Sequence, residues 1–213
     1  MRDRIETYWR ELSTITTSIP YAALTRVAEM LLECQRQDRT IFVLGNGGSA
    51  ATASHFACDL GKGTQTPGQR PFRVFPLTDN VPLLTAWGND RGYERVFAEQ
   101  LATLVRERDV VVIISASGNS PNVLRAAAVA NERGAITVAW TGESGGQLAS
   151  LADLVVRVPL SSMEQVEDAH LIIAHSLCVT LRAELGQRGF EDTLVPTTYT
   201  ESLSTGIAIG GQD

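Results

Sequence analysis

Five short apolar runs along the middle of the chain constrain the fold more than any other feature of the sequence. They are rich in Val and Ile and almost continuously apolar, as strands buried on both faces of a sheet are. Their sequences are TIFVL (40–44), RVFPL (73–77), VVVIIS (110–115), AITVAW (135–140) and LVVRV (154–158). Segments of helical period lie between and after them, near residues 49–60, 81–87, 93–106, 120–133 and 164–186. This alternation predicts an α/β fold with a doubly wound, five-stranded parallel sheet, which binds ligands at the carboxyl ends of its strands.

Two further helical patterns precede the first strand. Apolar residues recur at helical spacing over residues 2–17 and again over residues 21–37. Ser18 and Pro20 stand where the N-cap and the first turn of the second helix are expected. We predict a helical hairpin over residues 1–38 that either builds an oligomer interface or packs on the chain's own sheet.

The rest of the chain divides into a domain and a tail. Residues 39–186, which hold the predicted strands, contain no linker and no internal repeat, so we predict one domain there. Residues 187–213 are rich in Thr, Ser and Gly and have no helical period. We expect them to form an extended or disordered tail.

Charge and cysteine content argue against several classes of protein. The 213 residues carry a net charge of −6 and contain no basic run, which argues against direct nucleic-acid binding. The three cysteines are widely spaced and form no Cys-x-x-Cys pair, which favours a reducing compartment over a disulfide framework. No apolar run approaches the roughly 20 residues of a membrane span. We therefore expect a cytoplasmic protein that binds neither membrane nor nucleic acid.

Two loops between a strand and a helix have the composition of phosphate-binding loops. GNGGS (45–49) offers three glycines and a helix N-terminus, although its spacing matches neither a dinucleotide fingerprint nor a Walker A loop. SASGNS (115–120) places three serines before a helix that begins at Pro121. Hydroxyl groups and backbone N–H groups together can hold a phosphate without a basic side chain. A tight turn and a serine-rich N-cap are the structural alternatives.

All three histidines of the chain lie near acidic residues in the sequence. His55 and Asp59 are four apart on the helix after GNGGS and therefore share a face. His170 and His175 lie in AHLIIAHSL, an apolar segment of the last predicted helix, close after Glu167. A buried imidazole needs a polar partner, and His together with carboxylates also suits zinc or a similar divalent ion. The spacing leaves core histidines and ligands as open alternatives.

Taken together, these segments resemble the sugar isomerase (SIS) domain family. Within it, the chain is similar to the phosphoheptose isomerase (sedoheptulose 7-phosphate isomerase) subfamily. The resemblance covers about residues 1–186 and rests on the order and spacing of GNGGSAATASHFACDL, TAWGNDRGYERVF, RERDVVVIISASGNSPNVLRAAAVANERG, TGESGGQLASLADLVVRVP and VEDAHLIIAHSLC. It implies a flavodoxin-like sheet and a homotetramer with active sites between subunits, whose N-terminal helices contribute to a central bundle.

The resemblance also implies roles for individual residues. Asp59 and His175 would be the catalytic acid–base pair. The substrate, a small-molecule sugar phosphate, would be bound by Asn46, Gly47, Ser49, Asp90, Ser115, Ala116, Ser117, Ser120 and Glu167. Zinc is the implied cofactor, with one divalent ion per site, and its ligands would be His55, Asp59, Glu167 and His175.

At two positions the sequence departs from the family pattern. The family has Glu where this chain has Asp59, and a metal-ligating Gln where it has Glu167. Asp is one methylene shorter, and a misplacement of about 1 Å can cost about 10²-fold in rate. A metal ion between the two carboxylates would absorb the difference, because it needs only oxygen ligands in range. The extra negative charge favours binding of a divalent cation.

The activity implied by the resemblance is aldose–ketose isomerisation of a phosphorylated sugar. The expected reaction converts sedoheptulose 7-phosphate to D-glycero-D-manno-heptose 7-phosphate through an enediol. One alternative is a non-catalytic regulatory protein that binds a replication initiator, because the DnaA initiator-associating protein is a related member of the family. The other is an isomerase of a different long-chain sugar phosphate in secondary metabolism, which the exchanges at Asp59 and Glu167 fit.

Overall fold

A parallel sheet forms the centre of the computed structural model, which describes residues 1–194 and the side chains of residues 1–187. Within these residues the sheet has five strands: β1 (Thr40–Gly45), β2 (Arg73–Pro76), β3 (Val110–Ile114), β4 (Ile136–Thr141) and β5 (Leu154–Arg157). Their spatial order is β2-β1-β3-β4-β5, and every neighbouring pair is parallel. This is the strand order of a flavodoxin-like sheet. The five predicted strands and the predicted fold class are therefore confirmed.

Helices cover both faces of this sheet. They are α1 (Arg2–Ser13), α2 (Ile15–Ser18), α3 (Tyr21–Arg36), α4 (Gly48–Cys58), α5 (Val81–Arg91), α6 (Ala98–Leu104), α7 (Pro121–Glu132), α8 (Leu148–Leu151) and α9 (Met163–Leu194). A π-helical turn, Asp59–Gly63, continues α4, and a 3₁₀ turn, Tyr93–Arg95, precedes α6. Helices α3, α4 and α9 pack on one face, whereas α6, α7 and α8 pack on the other.

The pleat of the strands divides the buried side chains between two cores. Along β3, Val110, Val112 and Ile114 face α3 and α9, while Val111 and Ile113 face α6 and α7. All five are fully buried, because successive side chains of a strand point to opposite faces. Because helices cover both faces of the sheet, the side chains on both sides of each strand are buried, which explains why these runs are continuously apolar.

The start of the second N-terminal helix differs from the prediction. Ser18 is the last residue of α2, and its hydroxyl donates a hydrogen bond to the carbonyl of Thr14 at 2.9 Å. The N-cap position of α3 is occupied by Pro20, without a side-chain cap. The predicted N-cap role of Ser18 is therefore wrong, because a short turn of helix already uses its hydroxyl.

The two N-terminal helices have different surroundings. Val27 and Leu31 of α3 are fully buried against the chain's own sheet, as one of the two alternatives required. Helix α1 instead leaves Ile5 56% and Trp9 65% exposed. It is attached to α9 through Tyr8, whose hydroxyl donates to the Asp168 carboxylate; this bond is the main cause that raises the Tyr8 pKa to about 12. The interface alternative therefore stays a prediction for the exposed parts of α1 and α3.

The last helix is longer than predicted. It runs to Leu194, so the first eight residues of the segment predicted as a tail are helical. Gly186 lies inside the helix, where glycine costs about 1 kcal/mol relative to alanine but does not force an end. Residues 195–213 of the predicted tail lie outside the described residues. Although α9 has 32 residues, neither it nor another described helix has a stretch apolar enough to cross a membrane.

Two leucines of α6 test the assignment of its core face. Leu101 is fully buried, whereas Leu104, on the same helix, is 48% exposed. We expect Leu101→Ala to lower the free energy of unfolding by about 2–5 kcal/mol, because it leaves a cavity in a close-packed core. Leu104→Ala, the matched control, should cost less than about 1 kcal/mol. Equal losses in urea titrations of the two variants would contradict this packing.

Candidate functional site

Both glycine- and serine-rich loops lie at the same edge of the sheet. GNGGS leaves the end of β1 and SASGNS leaves the end of β3, and these two strands are direct neighbours that pair Gly45 with Ile114. The helices that follow, α4 and α7, pack on opposite faces of the sheet. A crevice at the carboxyl ends of strands whose connections diverge in this way is the usual ligand site of such folds.

The turn of GNGGS depends on close backbone packing. A Cβ atom at Gly45 would lie 2.7 Å from the carbonyl oxygen of Ile114, so only glycine allows this approach of the two strand ends. Gly47 has a φ of 53° and precedes the first residue of α4. Ser49, in the first turn of α4, is buried. The loop is therefore a tight turn, as one alternative held, and it also leads directly into a helix N-terminus.

The serine hydroxyls of the second loop are arranged around its own amides. The N–H of Gly118 donates to Ser115 Oγ at 3.2 Å, and the N–H of Asn119 donates to Ser117 Oγ at 3.3 Å. Ser120 stands at the N-cap position of α7 but makes no capping hydrogen bond with its side chain. The serine-rich N-cap is therefore not formed, and none of the three hydroxyl groups donates a hydrogen bond to another described residue.

The loop of residues 142–147, between β4 and α8, packs against SASGNS. Gly118 has a φ of 63°, and a Cβ atom there would overlap the backbone of Gly145. The N–H of Leu148 donates to the Gly118 carbonyl at 2.9 Å, and the N–H of Gln147 donates to Asn119 Oδ1 at 3.0 Å. Ala116 joins this contact, because its carbonyl accepts the Gly142 N–H at 2.9 Å. These bonds hold the shape of the predicted phosphate loop.

An amide pair links the two loops. The side chains of Asn46 and Asn122 exchange two hydrogen bonds of 2.8 Å, and Tyr93 donates its hydroxyl to Asn46 Oδ1 at 3.1 Å. Asn122 is buried at the second position of α7. Sequence reasoning missed Asn122 and Tyr93. The available signal for Asn122 was its place in the first turn of the helix that follows SASGNS.

The structure brings His175 of α9 to His55 and Asp59 of α4, although the two histidines are 120 residues apart in sequence. The two Nε2 atoms are 3.0 Å apart. Asp59 Oδ2 lies 3.4 Å from His55 Nε2 and 3.7 Å from His175 Nε2. The side chains are partly open to solvent, with 46% of His55, 31% of Asp59 and 50% of His175 exposed.

These three side chains can hold a metal ion. A tetrahedral zinc with bonds of about 2.0–2.1 Å keeps its ligand atoms about 3.3–3.4 Å apart. The three separations here, 3.0, 3.4 and 3.7 Å, lie around that value. Two imidazole nitrogens and one carboxylate oxygen are also a donor set that zinc accepts. The shorter side chain of Asp59 therefore does reach both histidines.

The helix geometry changes at Asp59 itself. Asp59 begins the π-helical turn Asp59–Gly63, which the sequence did not predict. Arg182 of α9 donates a hydrogen bond from Nε to the Gly63 carbonyl and so ties the end of this turn to the helix that carries His175. Single π-helical turns inserted in helices are frequent at functional sites.

Glu167, the fourth predicted ligand, is not part of this group. Its carboxylate packs against Gly48 at the start of α4, where a Cβ atom would overlap it. It therefore lies beside GNGGS, and its role at the substrate stays a prediction. Asp90 is at the exposed end of α5 and accepts a hydrogen bond from Asn89 at 2.9 Å. The described contacts do not link Asp90 to the histidines.

His170 matches the core alternative. It is fully buried, its Nε2 lies 3.4 Å from the carbonyl of Thr141, and burial lowers its pKa to about 4. It also packs near Trp140, with ring centroids 6.3 Å apart. The two histidines of AHLIIAHSL thus have separate environments, because positions five apart on a helix point in different directions.

Comparisons with known proteins show the family of the chain. The family model of the SIS domain matches residues 7–142. The chain is 36% identical to phosphoheptose isomerase 1 of Campylobacter jejuni, over 84% of this chain and 96% of the relative. It is 38% identical to the phosphoheptose isomerase of Geobacter metallireducens, over 84% and 95%. The chain belongs to the SIS domain family, and within it to the phosphoheptose isomerases.

Solved structures of this family superpose on the chain. The phosphoheptose isomerase of Neisseria gonorrhoeae has a TM-score of 0.79 at 32% identity, over 85% of this chain and 98% of its own. That of Francisella tularensis has a TM-score of 0.80 at 30% identity, over 85% and 97%. The Vibrio vulnificus NanR protein, complexed with ManNAc-6P, has a TM-score of 0.62 at 17% identity and shares the fold alone.

Two glycines test the bracing of the serine loop. Gly118 and Gly68 both have positive φ, but a Cβ atom would overlap Gly145 only at Gly118, whereas nothing lies within 4 Å at Gly68. Gly68→Ala should therefore lower the free energy of unfolding only by the cost of a positive φ in a residue with a side chain, about 1–2 kcal/mol. We expect Gly118→Ala to lower the free energy of unfolding, measured by denaturant titration, clearly more than Gly68→Ala does. Equal losses of unfolding free energy in the two variants would show that SASGNS and the loop of residues 142–147 do not stabilise each other.

Proposed function

We propose that the protein interconverts sedoheptulose 7-phosphate and D-glycero-D-manno-heptose 7-phosphate. The observation that carries the proposal is the meeting of His175 with Asp59. It supports an acid–base site at the sheet edge that also holds both loops, in a chain related to phosphoheptose isomerases over most of its length.

The phosphate of the substrate is bound at SASGNS in this proposal. Ser115, Ser117 and Ser120 contribute hydroxyl groups, and the start of α7 contributes N–H groups that have no partner within the helix. The backbone of Ala116 belongs to the same turn. This arrangement suits an acidic protein, because it binds an anion with local dipoles rather than with net positive charge.

The sugar chain extends from this loop toward α4 and α9. Asn46, Gly47 and Ser49 line the start of α4, and Glu167 packs on Gly48 beside them. Amide and carboxylate groups are suited to hydrogen bonding with several sugar hydroxyls. Asp90 is proposed as a further hydroxyl contact.

Asp59 and His175 carry the proton transfers. One of them removes the proton from C1 of the open-chain ketose, which gives the enediol, and the proton is then delivered to C2. The other moves the oxygen-bound protons, so that O2 gains one as O1 loses one. Each well-placed acid–base group is worth about 10²–10⁴ in rate.

His55, Asp59 and His175 also form the proposed zinc site, with Glu167 as the fourth predicted ligand. Glu167 would have to leave Gly48 to join them, so its place at the substrate is better supported by its contacts. A bound zinc supplies electrophilic polarisation of a carbonyl or enediolate oxygen. The second oxygen of Asp59 and Nδ1 of His175 stay free for proton transfer while Oδ2 and the Nε2 atoms face one another.

A cytoplasmic homotetramer with sites between subunits completes the proposal. Helix α1 exposes Ile5 and Trp9, and a cavity of about 550 Å³ lies between α3 and α9, lined in part by Tyr21 and Leu24. Apolar surface of this kind is suited to contact with other copies of the chain. No residue of the acid–base group lines this cavity among those described.

The activity is tested with purified protein and sedoheptulose 7-phosphate. We expect Asp59→Asn and His175→Ala each to lower kcat by at least about 10²-fold, because each removes one proton-transfer group. Asp38→Asn is the matched control: its carboxylate pairs with Arg70 near the start of β1, and turnover should be unchanged.

Undiminished turnover in both Asp59→Asn and His175→Ala would contradict the acid–base assignment. A panel of other long-chain sugar phosphates, assayed with the same variants, identifies the substrate if the heptose is converted slowly. Binding of a replication initiator by a chain that turns over none of these sugars would favour the regulatory alternative.

Metal removal tests the zinc site. After treatment with a chelator, we expect activity to fall and to return when about one zinc per chain is added, because a bound ion would supply electrophilic polarisation of a substrate oxygen. His55→Ala should weaken zinc binding in calorimetry by at least about tenfold, whereas Asp38→Asn should leave it unchanged. Full activity in protein that elemental analysis shows to be metal-free would exclude a catalytic zinc.

A further inference from the structure

A second polar cavity lies at the opposite edge of the sheet, where β1 and β2 begin. Its volume is about 350 Å³, within the range of small-molecule sites. It extends from the amino end of β1 to Phe42 in the middle of that strand, whereas SASGNS follows the carboxyl end of β3. Six of its lining side chains matter here, namely Arg39, Phe42, Arg73, Phe75, Leu104 and Arg106.

Three arginines line this cavity together with Asp38 and Asp109. Within the described side chains, none of the three guanidinium groups of Arg39, Arg73 and Arg106 forms an ion pair or a hydrogen bond with another residue. The Nε of Arg39 is buried and has no partner. A buried cationic N–H without an acceptor is costly, so this atom marks a place where an acceptor belongs.

The nearby carboxylates are occupied elsewhere. Asp109 is buried, and its two oxygens accept the backbone N–H groups of Thr40 at 2.9 Å and Arg106 at 2.8 Å. Asp38 pairs with Arg70 at 3.2 Å. With three arginines and two aspartates in its lining, the cavity has one net positive charge in a chain whose net charge is −6. Guanidinium groups in such a cluster match the geometry of phosphate oxygens.

An aromatic surface lies beside these cations. Phe75 is 53% exposed on the edge strand β2, and its ring stacks on Phe42 with centroids 6.3 Å apart and an interplanar angle of 29°. The stacked pair keeps the Phe75 ring in a fixed orientation while leaving it partly open. A planar base can stack on such a ring, because every base has a π-face.

We propose that this cavity binds a nucleotide, with its phosphates on Arg39, Arg73 and Arg106 and its base on Phe75. Cationic groups alone would suit many anions, whereas cations beside an open aromatic ring suit a phosphorylated ligand that also has a planar group. The site is separate from the sugar-phosphate site, so both can be filled at once. It does not depend on the proposed isomerase activity.

The test is calorimetric titration of the full chain with ATP and with pyrophosphate, without added metal. We expect saturable binding of ATP with one site per chain. Arg73→Gln and Arg106→Gln, at exposed positions where folding is not at risk, should each weaken ATP binding by at least about tenfold, since each removes a charge-assisted contact. Arg10→Gln, an exposed arginine on α1, should change it by less than about twofold.

Two further variants separate this site from the alternatives. Phe75→Ala should weaken ATP binding about fivefold or more but leave pyrophosphate binding unchanged, because only ATP has a base to stack. The double variant Ser117→Ala/Ser120→Ala should leave ATP binding intact. The proposal is overturned by absence of saturable ATP binding, by equal affinity for ATP and pyrophosphate, or by loss of ATP binding in the serine variant.

Discussion

The pairing of β1 with β3 is the interaction on which the rest of the structure depends. These strands are neighbours at the centre of the sheet, and the absence of a side chain at Gly45 lets their ends approach closely. Because the helices after them pack on opposite faces, the pairing opens a crevice between GNGGS and SASGNS. The Asn46–Asn122 amide pair then fixes the two loops to each other across it.

Helix α9 brings two of the proposed site residues to this edge of the sheet. Its first turns carry Glu167 to the start of α4, and His175, two turns later, meets the far end of α4 at Asp59. Because α9 packs along α4, it places one polar side chain at each end of α4. The packing of α9 on α4 comes from the apolar residues between these positions, such as Ala169 and Ile173, so core burial and site geometry have a common origin.

The two proposed anion sites lie at opposite edges of the sheet and use different chemical groups. At the carboxyl edge the groups are serine hydroxyls and helix amides, which act without a formal charge. At the amino edge the groups are arginines whose neighbouring carboxylates are occupied by backbone amides or by Arg70. An acidic chain can hold anions at both edges because local fields, rather than net charge, decide short-range binding.

The sequence by itself determined the layers of the fold and the edge of the sheet at which both loops lie. Continuous apolar runs such as VVVIIS demand burial on both faces, and parallel strands place their following loops at one edge, so SASGNS and GNGGS had to lie at the same edge. That they are neighbours there follows from the strand order, which pairs β1 with β3. Asp59 was likewise recognisable as a departure from its family. What the pattern did not determine were contacts between distant segments and helix ends: that Asn122 pairs with Asn46, and that α9 continues past Gly186.

Only the tertiary structure decided which polar side chains meet. His170 and His175 stand in one apolar segment, yet one is buried against Thr141 and the other faces Asp59. Glu167 was predicted with the metal ligands, but its side chain packs on Gly48. The physical reason is that helical periodicity fixes a direction around one helix axis, whereas the distance to a partner depends on how two helices pack against each other.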